Sequence, residues 1–126
     1  MSGPAQGTGL RALAGAFANS LAGLSHALRT ERAVRQEAVA LALAVPLAFV
    51  IGAGLWQRVA LVGVVLLVLA AELLNTSIEK LADHVTPEIH PQIKIVKDLG
   101  SAAVLCALGL AGLVWLAALA ERLGLA

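Results

Sequence analysis

Three long apolar stretches constrain this chain more than any other feature. They read "AVALALAVPLAFVIGAGLW" at residues 38–56, "VALVGVVLLVLAAELL" at 59–74, which "NTSI" prolongs to 78, and "GSAAVLCALGLAGLVWLAALA" at 100–120. About 20 helical residues cross the hydrocarbon of a bilayer. Inside it every backbone amide has to be satisfied within the protein, which leaves helices or closed barrels. The apolar mass here is mostly Ala, Leu and Val with 3% aromatics, which suits helices. The chain therefore reads as an all-α membrane protein with three transmembrane helices, near 38–56, 59–78 and 100–120.

The remaining composition supports that class and removes others. Hydrophobic residues make up 60% and charged residues 13% of the 126 positions, and mean hydropathy is +0.89. An average soluble domain carries about 25% charged residues. The length allows a single domain, taken as residues 1–126. A net charge of +1 gives no basis for nucleic-acid binding. One cysteine, Cys106, supports neither a disulfide framework nor a cysteine zinc cluster. The first twenty residues make a poor secretory signal: Arg11 is their only basic residue, and Asn19 and Ser20 interrupt the weak apolar stretch. They are read as part of the mature chain.

Between the first two spans lie only Gln57 and Arg58, which predicts a tight helical hairpin. Pro46 is expected to kink the first span. Trp56 falls where an interfacial belt would lie, and Trp115 sits a few residues inside the third span. Residues 10–30 are amphipathic at helical spacing: Leu10, Leu13, Phe17, Leu21, Leu24 and Leu28 recur at steps of three and four, away from Arg11, Ser25 and Arg29. That pattern predicts a helix lying in the membrane interface. Seven of the nine basic residues precede the first span or lie between the second and third. This asymmetry puts the N-terminus and the 80–98 segment in the cytoplasm. Pro87 and Pro91 break the helix that leaves the second span.

The second span does not end as lipid-facing sequence usually does. It runs into Glu72, Asn75, Glu79 and Asp83, which recur near one helical stripe. Other polar groups fall at the same membrane depth: Glu31, Arg35, Gln36 and Glu37 before the first span, and His90, Lys94, Lys97 and Asp98 before the third. Oxygen donors of this kind suit Mg²⁺, which takes one or two carboxylates plus substrate phosphates. Lysine suits phosphate as a point charge, and a carboxylate in a partly apolar setting suits a general base. Those are the parts of phosphoryl transfer, with a lipid hydroxyl as a natural acceptor.

Plainer roles stand beside these. Glu79 and Asp83 fit solvated positions on an emerging helix, Glu31 and Glu37 fit a helix start, and the lysines fit topogenic charges. Glu72 is harder to explain away, because an ionisable group in a membrane helix is functional by default. His26 and His84 have no paired ligand spacing. Gly52, Gly54, Gly63, Gly109 and Gly112 are read as close-packing positions between helices. No GxxxxGK[ST] and no GxGxxG occurs.

"ELLNTSIEKLAD", followed by "HPQIKIVKDLGSAAVL" and preceded by "ERAVRQEAV", resembles the small bacterial integral-membrane diacylglycerol kinases, a family that includes undecaprenol kinases. The resemblance covers roughly residues 15–120. It implies an ATP:lipid phosphotransferase of three transmembrane helices and an N-terminal interfacial helix, assembled as a homotrimer in the inner (cytoplasmic) membrane and using Mg²⁺ with ATP. It implies Glu72 as the catalytic base and Glu31 and Glu79 as the metal-holding carboxylates. Those two, with Glu88, His90, Lys97 and Asp98, would contact the nucleotide. Arg35, Gln36, Glu37, Glu72, Asn75 and Ser101 would line the lipid side.

"DLGSAAVL" looks more like the diacylglycerol kinases of Gram-negative bacteria, whereas "HPQIKIVKD" is also common among undecaprenol kinases. Diacylglycerol is the expected substrate and undecaprenol the alternative. A small proton-coupled transporter with Glu72 as proton carrier is an alternative of another class, but its site belongs near the bilayer midplane.

Overall fold

The computed structural model describes residues 9–126, so the reading of the first eight as mature chain lies outside it. Four helices and no strand occur among the described residues: α1 (Leu10–Thr30), α2 (Arg32–Ile51), α3 (Leu55–Val85) and α4 (Pro91–Arg122). The last three are long and apolar enough to cross a membrane, as the apolar runs predict. α1 leaves Leu10, Leu13, Phe17 and Leu21 exposed and buries Ala27. A helix with so little core of its own has its apolar face free for a lipid interface.

One residue separates α1 from α2. Glu31 adopts an extended conformation, φ −113° and ψ 116°, while its N–H still bonds Ala27 O. Arg35 Nη1 donates to Leu28 O at 3.3 Å and Arg29 O at 3.1 Å. It thereby satisfies carbonyls that the end of α1 would leave open.

The hairpin loop differs from expectation, whereas α3 ends at Val85, just ahead of Pro87, as the prolines predict. The hairpin turn is Gly52–Ala53–Gly54, not Gln57–Arg58, so Trp56 and both expected turn residues belong to the first turn of α3. Hydropathy reads Gly-Ala-Gly as a continuation of the apolar run. Gly54, at φ 113°, occupies a region that side chains avoid, and the chain reverses there. Gln57 closes the turn, its Oε1 accepting from Ala53 N–H at 2.5 Å. At the other end, α4 starts at Pro91, nine residues before the apolar run it carries. Proline suits a first helical position because the N–H it lacks has no partner there. His90 caps it, Nδ1 accepting from Gln92 N–H at 3.2 Å.

α3 has 31 residues, about 46 Å of helix. That exceeds the roughly 30 Å hydrocarbon layer, so its last turns carry Glu79 and Asp83 past the apolar zone.

Two small cores hold the helices together. Ala27, Val34 and Leu69 join α1, α2 and α3. Ala48, Leu61 and Ala118 join α2, α3 and α4 at the opposite end, with Trp115 packed against them. Trp115 Nε1 donates to Leu61 O at 3.0 Å, so this ring binds α4 to α3. Of the glycines read as packing positions, Gly52 is one. Gly54 serves the turn, and a Cβ on Gly63, Gly109 or Gly112 would meet nothing within 4 Å in this chain. Their small size is used in no contact within this chain. The tightest helix contact is instead at Gly100, where an added Cβ would collide with Asn75 Oδ1.

Gly100→Ala is accordingly expected to cost about 1–3 kcal/mol through overpacking. Gly109→Ala should be neutral or slightly stabilising, since alanine is the better helix former. Thermal unfolding of both variants in detergent micelles checks the contrast.

Candidate functional site

α3 supplies the centre of the site. Glu72 is half-buried, Asn75 is 9% exposed and Glu79 is exposed. The stripe thus grades from apolar interior to surface over seven residues, about 10.5 Å of helix. Asn75 Nδ2 donates to Glu79 Oε1 at 3.2 Å. That bond fixes the amide orientation and sends Oδ1 against Gly100, buried and without a hydrogen-bond partner among the described residues. A buried acceptor left empty costs about 1–3 kcal/mol, so this position favours a ligand or water that can donate.

α2 adds the second wall. Glu37 is half-buried, with Oε2 buried and unpartnered, and Glu72 is the charged neighbour that acts on it across the α2–α3 contact. Neither carboxyl is in an ion pair among the described residues. The pair therefore keeps free acceptor atoms for a hydroxyl or amine donor. Glu31, at the α1–α2 junction, is held by Lys80 Nζ at 3.0 Å. Gln36 is exposed on α2.

The α3–α4 side carries the remaining charges. Lys97 Nζ pairs with Asp83 Oδ1 at 2.5 Å, and Lys94 Nζ pairs with Asp98 Oδ2 at 2.6 Å. Lys97 and Asp98, expected to act together, thus hold different partners. Ser101 is exposed on α4, and Glu88 is exposed in the 86–90 loop.

The structure brings together Glu31 with Lys80, Glu37 with Glu72, and Asn75 with Glu79. No hydrogen bond or ion pair among the described residues joins Glu88, His90, Lys97, Asp98 or Ser101 to those three pairs. Sequence reasoning took Lys80 only as a topogenic charge and Asp83 as a solvated helix residue. Both are exposed, yet each holds a candidate site residue. The hint for Lys80 was its place beside Glu79. Gly100 gave no signal, because nothing local shows which helix faces it.

An apolar cavity of about 630 Å³ opens between α1 and α3, on the face of α3 that carries Leu69, Leu73 and Lys80 rather than Glu72 and Glu79. Leu24, Ala27, Leu69 and Leu73 line its body, and Ser77 and Lys80 line its polar end. A carboxylate row on one face of α3 and, on another, a greasy cavity ended by the lysine that holds Glu31 suit a reaction between a lipid and a water-soluble anion.

Comparisons with known proteins agree. The family model described as prokaryotic diacylglycerol kinase matches residues 18–119. A diacylglycerol kinase of Pseudomonas aeruginosa is 40% identical over 108 residues, covering 86% of this chain and 88% of that protein. One from Haemophilus influenzae is 38% identical over 108 residues, 86% of this chain and 92% of its own. The Escherichia coli K12 protein of the same name is 40% identical over 108 residues, with 86% and 88% coverage.

Proposed function

The chain belongs to the prokaryotic diacylglycerol kinase family, and from that premise we propose that it phosphorylates diacylglycerol with ATP at the cytoplasmic face of the inner membrane. The observation that carries this reading is the graded stripe on α3: a half-buried carboxylate, a buried amide and an exposed carboxylate in succession. Such a stripe reaches both the depth of a lipid hydroxyl and the aqueous side, where a nucleotide resides.

Glu72 is assigned the proton. As the lipid hydroxyl oxygen forms its bond to the γ-phosphorus, the bond from that phosphorus to the bridging oxygen of ADP breaks. The hydroxyl proton passes to the Glu72 carboxylate, which returns it to water after phosphatidic acid leaves. The buried Oδ1 of Asn75 and the free oxygen of Glu37 are acceptors able to orient the hydroxyl, and the apolar cavity between α1 and α3 offers room for an acyl chain. Arg35, Gln36 and Ser101 complete the lipid side.

The residues fit Mg²⁺. No three His, Cys, Asp or Glu side chains among the described residues converge to enclose a metal. Mg²⁺ asks for less, one or two carboxylates with the rest of its shell from phosphates and water. Glu31 and Glu79, both oxygen donors, would hold it. When bound, the ion neutralises charge on the β- and γ-phosphates. Lys97, exchanging Asp83 for phosphate, supplies a further point charge. His90 has Nδ1 committed to its own helix, so Nε2 is the atom it can offer the nucleotide alongside Glu88 and Asp98. Because those four stand apart from the Glu37–Glu72 pair, we place the nucleotide between neighbouring copies of a homotrimer.

Radiolabel transfer from ATP to a panel of lipid alcohols tests the reading. Phosphatidic acid is the expected principal product. A clear preference for undecaprenol would overturn the substrate assignment. Proton movement across vesicles, with no ADP released for any lipid alcohol, would overturn the kinase.

A further inference from the structure

The end of the bundle remote from Glu72 holds a second polar site that the kinase reading leaves unused. Arg58, in the first turn of α3, and Arg122, the last residue of α4, line one pocket of about 560 Å³ with Glu121 and the Gly52–Ala53 turn. Gly52 shapes it: a Cβ there would collide with Arg58 Cγ, so the arginine stem lies across the turn. The guanidinium carbon stands 5.2 Å from the Phe49 ring centroid, and Arg58 Nε is buried with no hydrogen-bond partner. Arg122 Nε donates to Val50 O at 3.3 Å.

One carboxylate, Glu121, shares the pocket with these two cations but pairs with neither. Glu121 is turned to Gln57, whose Nε2 donates to its Oε2 at 2.6 Å. Ala126 also lines the pocket, yet neither arginine forms an ion pair with any carboxylate among the described residues. Arg58 is half-buried while Arg122 is exposed, and a half-buried charge without an ion-pair partner is costly. Guanidinium presents a planar fork of donors that matches phosphate oxygens.

A second groove of about 390 Å³ adjoins the pocket. Phe49 and Arg58 line both, and Val45, Leu55, Val59 and Val62 give the groove apolar walls between α2 and α3. A free phosphate would have no use for such walls. We propose that the two joined spaces form a binding site for a phospholipid distinct from the substrate, with its phosphodiester between Arg58 and Arg122 and one acyl chain in the α2–α3 groove. The site would hold a structural lipid of the leaflet on that side.

Trp56, 80% exposed and two residues from Arg58, is a built-in reporter. The full chain in non-ionic micelles is titrated with phosphatidylglycerol brominated on its acyl chains, and tryptophan quenching is followed. Saturable quenching is expected, with half-saturation at least tenfold higher in Arg58→Gln/Arg122→Gln and close to the parent in Arg58→Lys/Arg122→Lys. A phosphate-free glycolipid with the same brominated chains should quench without saturating. Unchanged kinase activity in the double variant shows that it folds. If it does not fold, Arg122→Gln alone should still weaken binding several-fold. Equal quenching in parent and variants would overturn the site. Displacement of the lipid by millimolar inorganic phosphate would overturn the lipid assignment in favour of a free anion. The readout is binding at the far end of the bundle, so it stands or falls independently of the kinase reaction.

Discussion

Glu72→Gln is expected to lower turnover by about 10²–10⁴, the range that general-base catalysis contributes, with ATP binding retained. Glutamine matches glutamate in volume, so the half-buried position on α3 keeps its packing against α2. The amide replaces a half-buried carboxyl that has no cation partner among the described residues. Folding therefore should not suffer, and the thermal midpoint is expected to hold or rise. What is lost is an oxygen able to take a proton. Initial rates at saturating lipid, set beside equilibrium binding of a fluorescent ATP analogue, separate the two effects. Turnover within tenfold of the parent would remove Glu72 from the role of base and return it to helix packing.

The parts of this molecule that were legible in the sequence are those set by periodicity within one helix. Three apolar runs long enough for a bilayer became α2, α3 and α4, and the leucine spacing of residues 10–30 became α1. The acids of α3 stood out because charge is costly in a membrane helix. What stayed hidden depends on how helices meet. Lys80 holding Glu31, Asp83 holding Lys97, Trp115 bonded to Leu61 O and Gly100 against Asn75 each join residues that no single helix carries. Their pairing follows from rotation and register between helices, which no local pattern encodes. The misplaced hairpin has a different cause. Hydropathy scores Gly52, Ala53 and Gly54 as span, while the backbone freedom of Gly54 makes them a turn. The roles of Glu72, Glu31 and Glu79 came from the family resemblance, because spacing alone only placed carboxylates at one depth.

Glu79→Gln should produce the opposite kinetic pattern to Glu72→Gln. The exposed Glu79 accepts from Asn75 Nδ2 through one oxygen, Oε1, leaving the other free toward the aqueous side. On the proposed role of Glu79, losing its charge would remove a ligand from a cation that draws only one or two carboxylates from the protein. Even an outer-shell partner of a metal ligand is worth 10–100-fold in metal affinity, so the Mg²⁺ concentration for half-maximal rate should rise by at least about tenfold. Turnover at saturating Mg-ATP should fall far less, because Glu72, the proposed base on the turns below, is untouched. The effect should also exceed that of Glu31→Gln, since Glu31 already shares its carboxylate with Lys80 at 3.0 Å and gives a bound cation less of its charge. Rates measured across a Mg²⁺ series at fixed ATP check both. An unchanged Mg²⁺ requirement in Glu79→Gln would mean that the exposed end of the stripe serves only to hold Asn75. The metal would then have to be sought among carboxylates elsewhere in the assembly, Asp83 and Asp98 first.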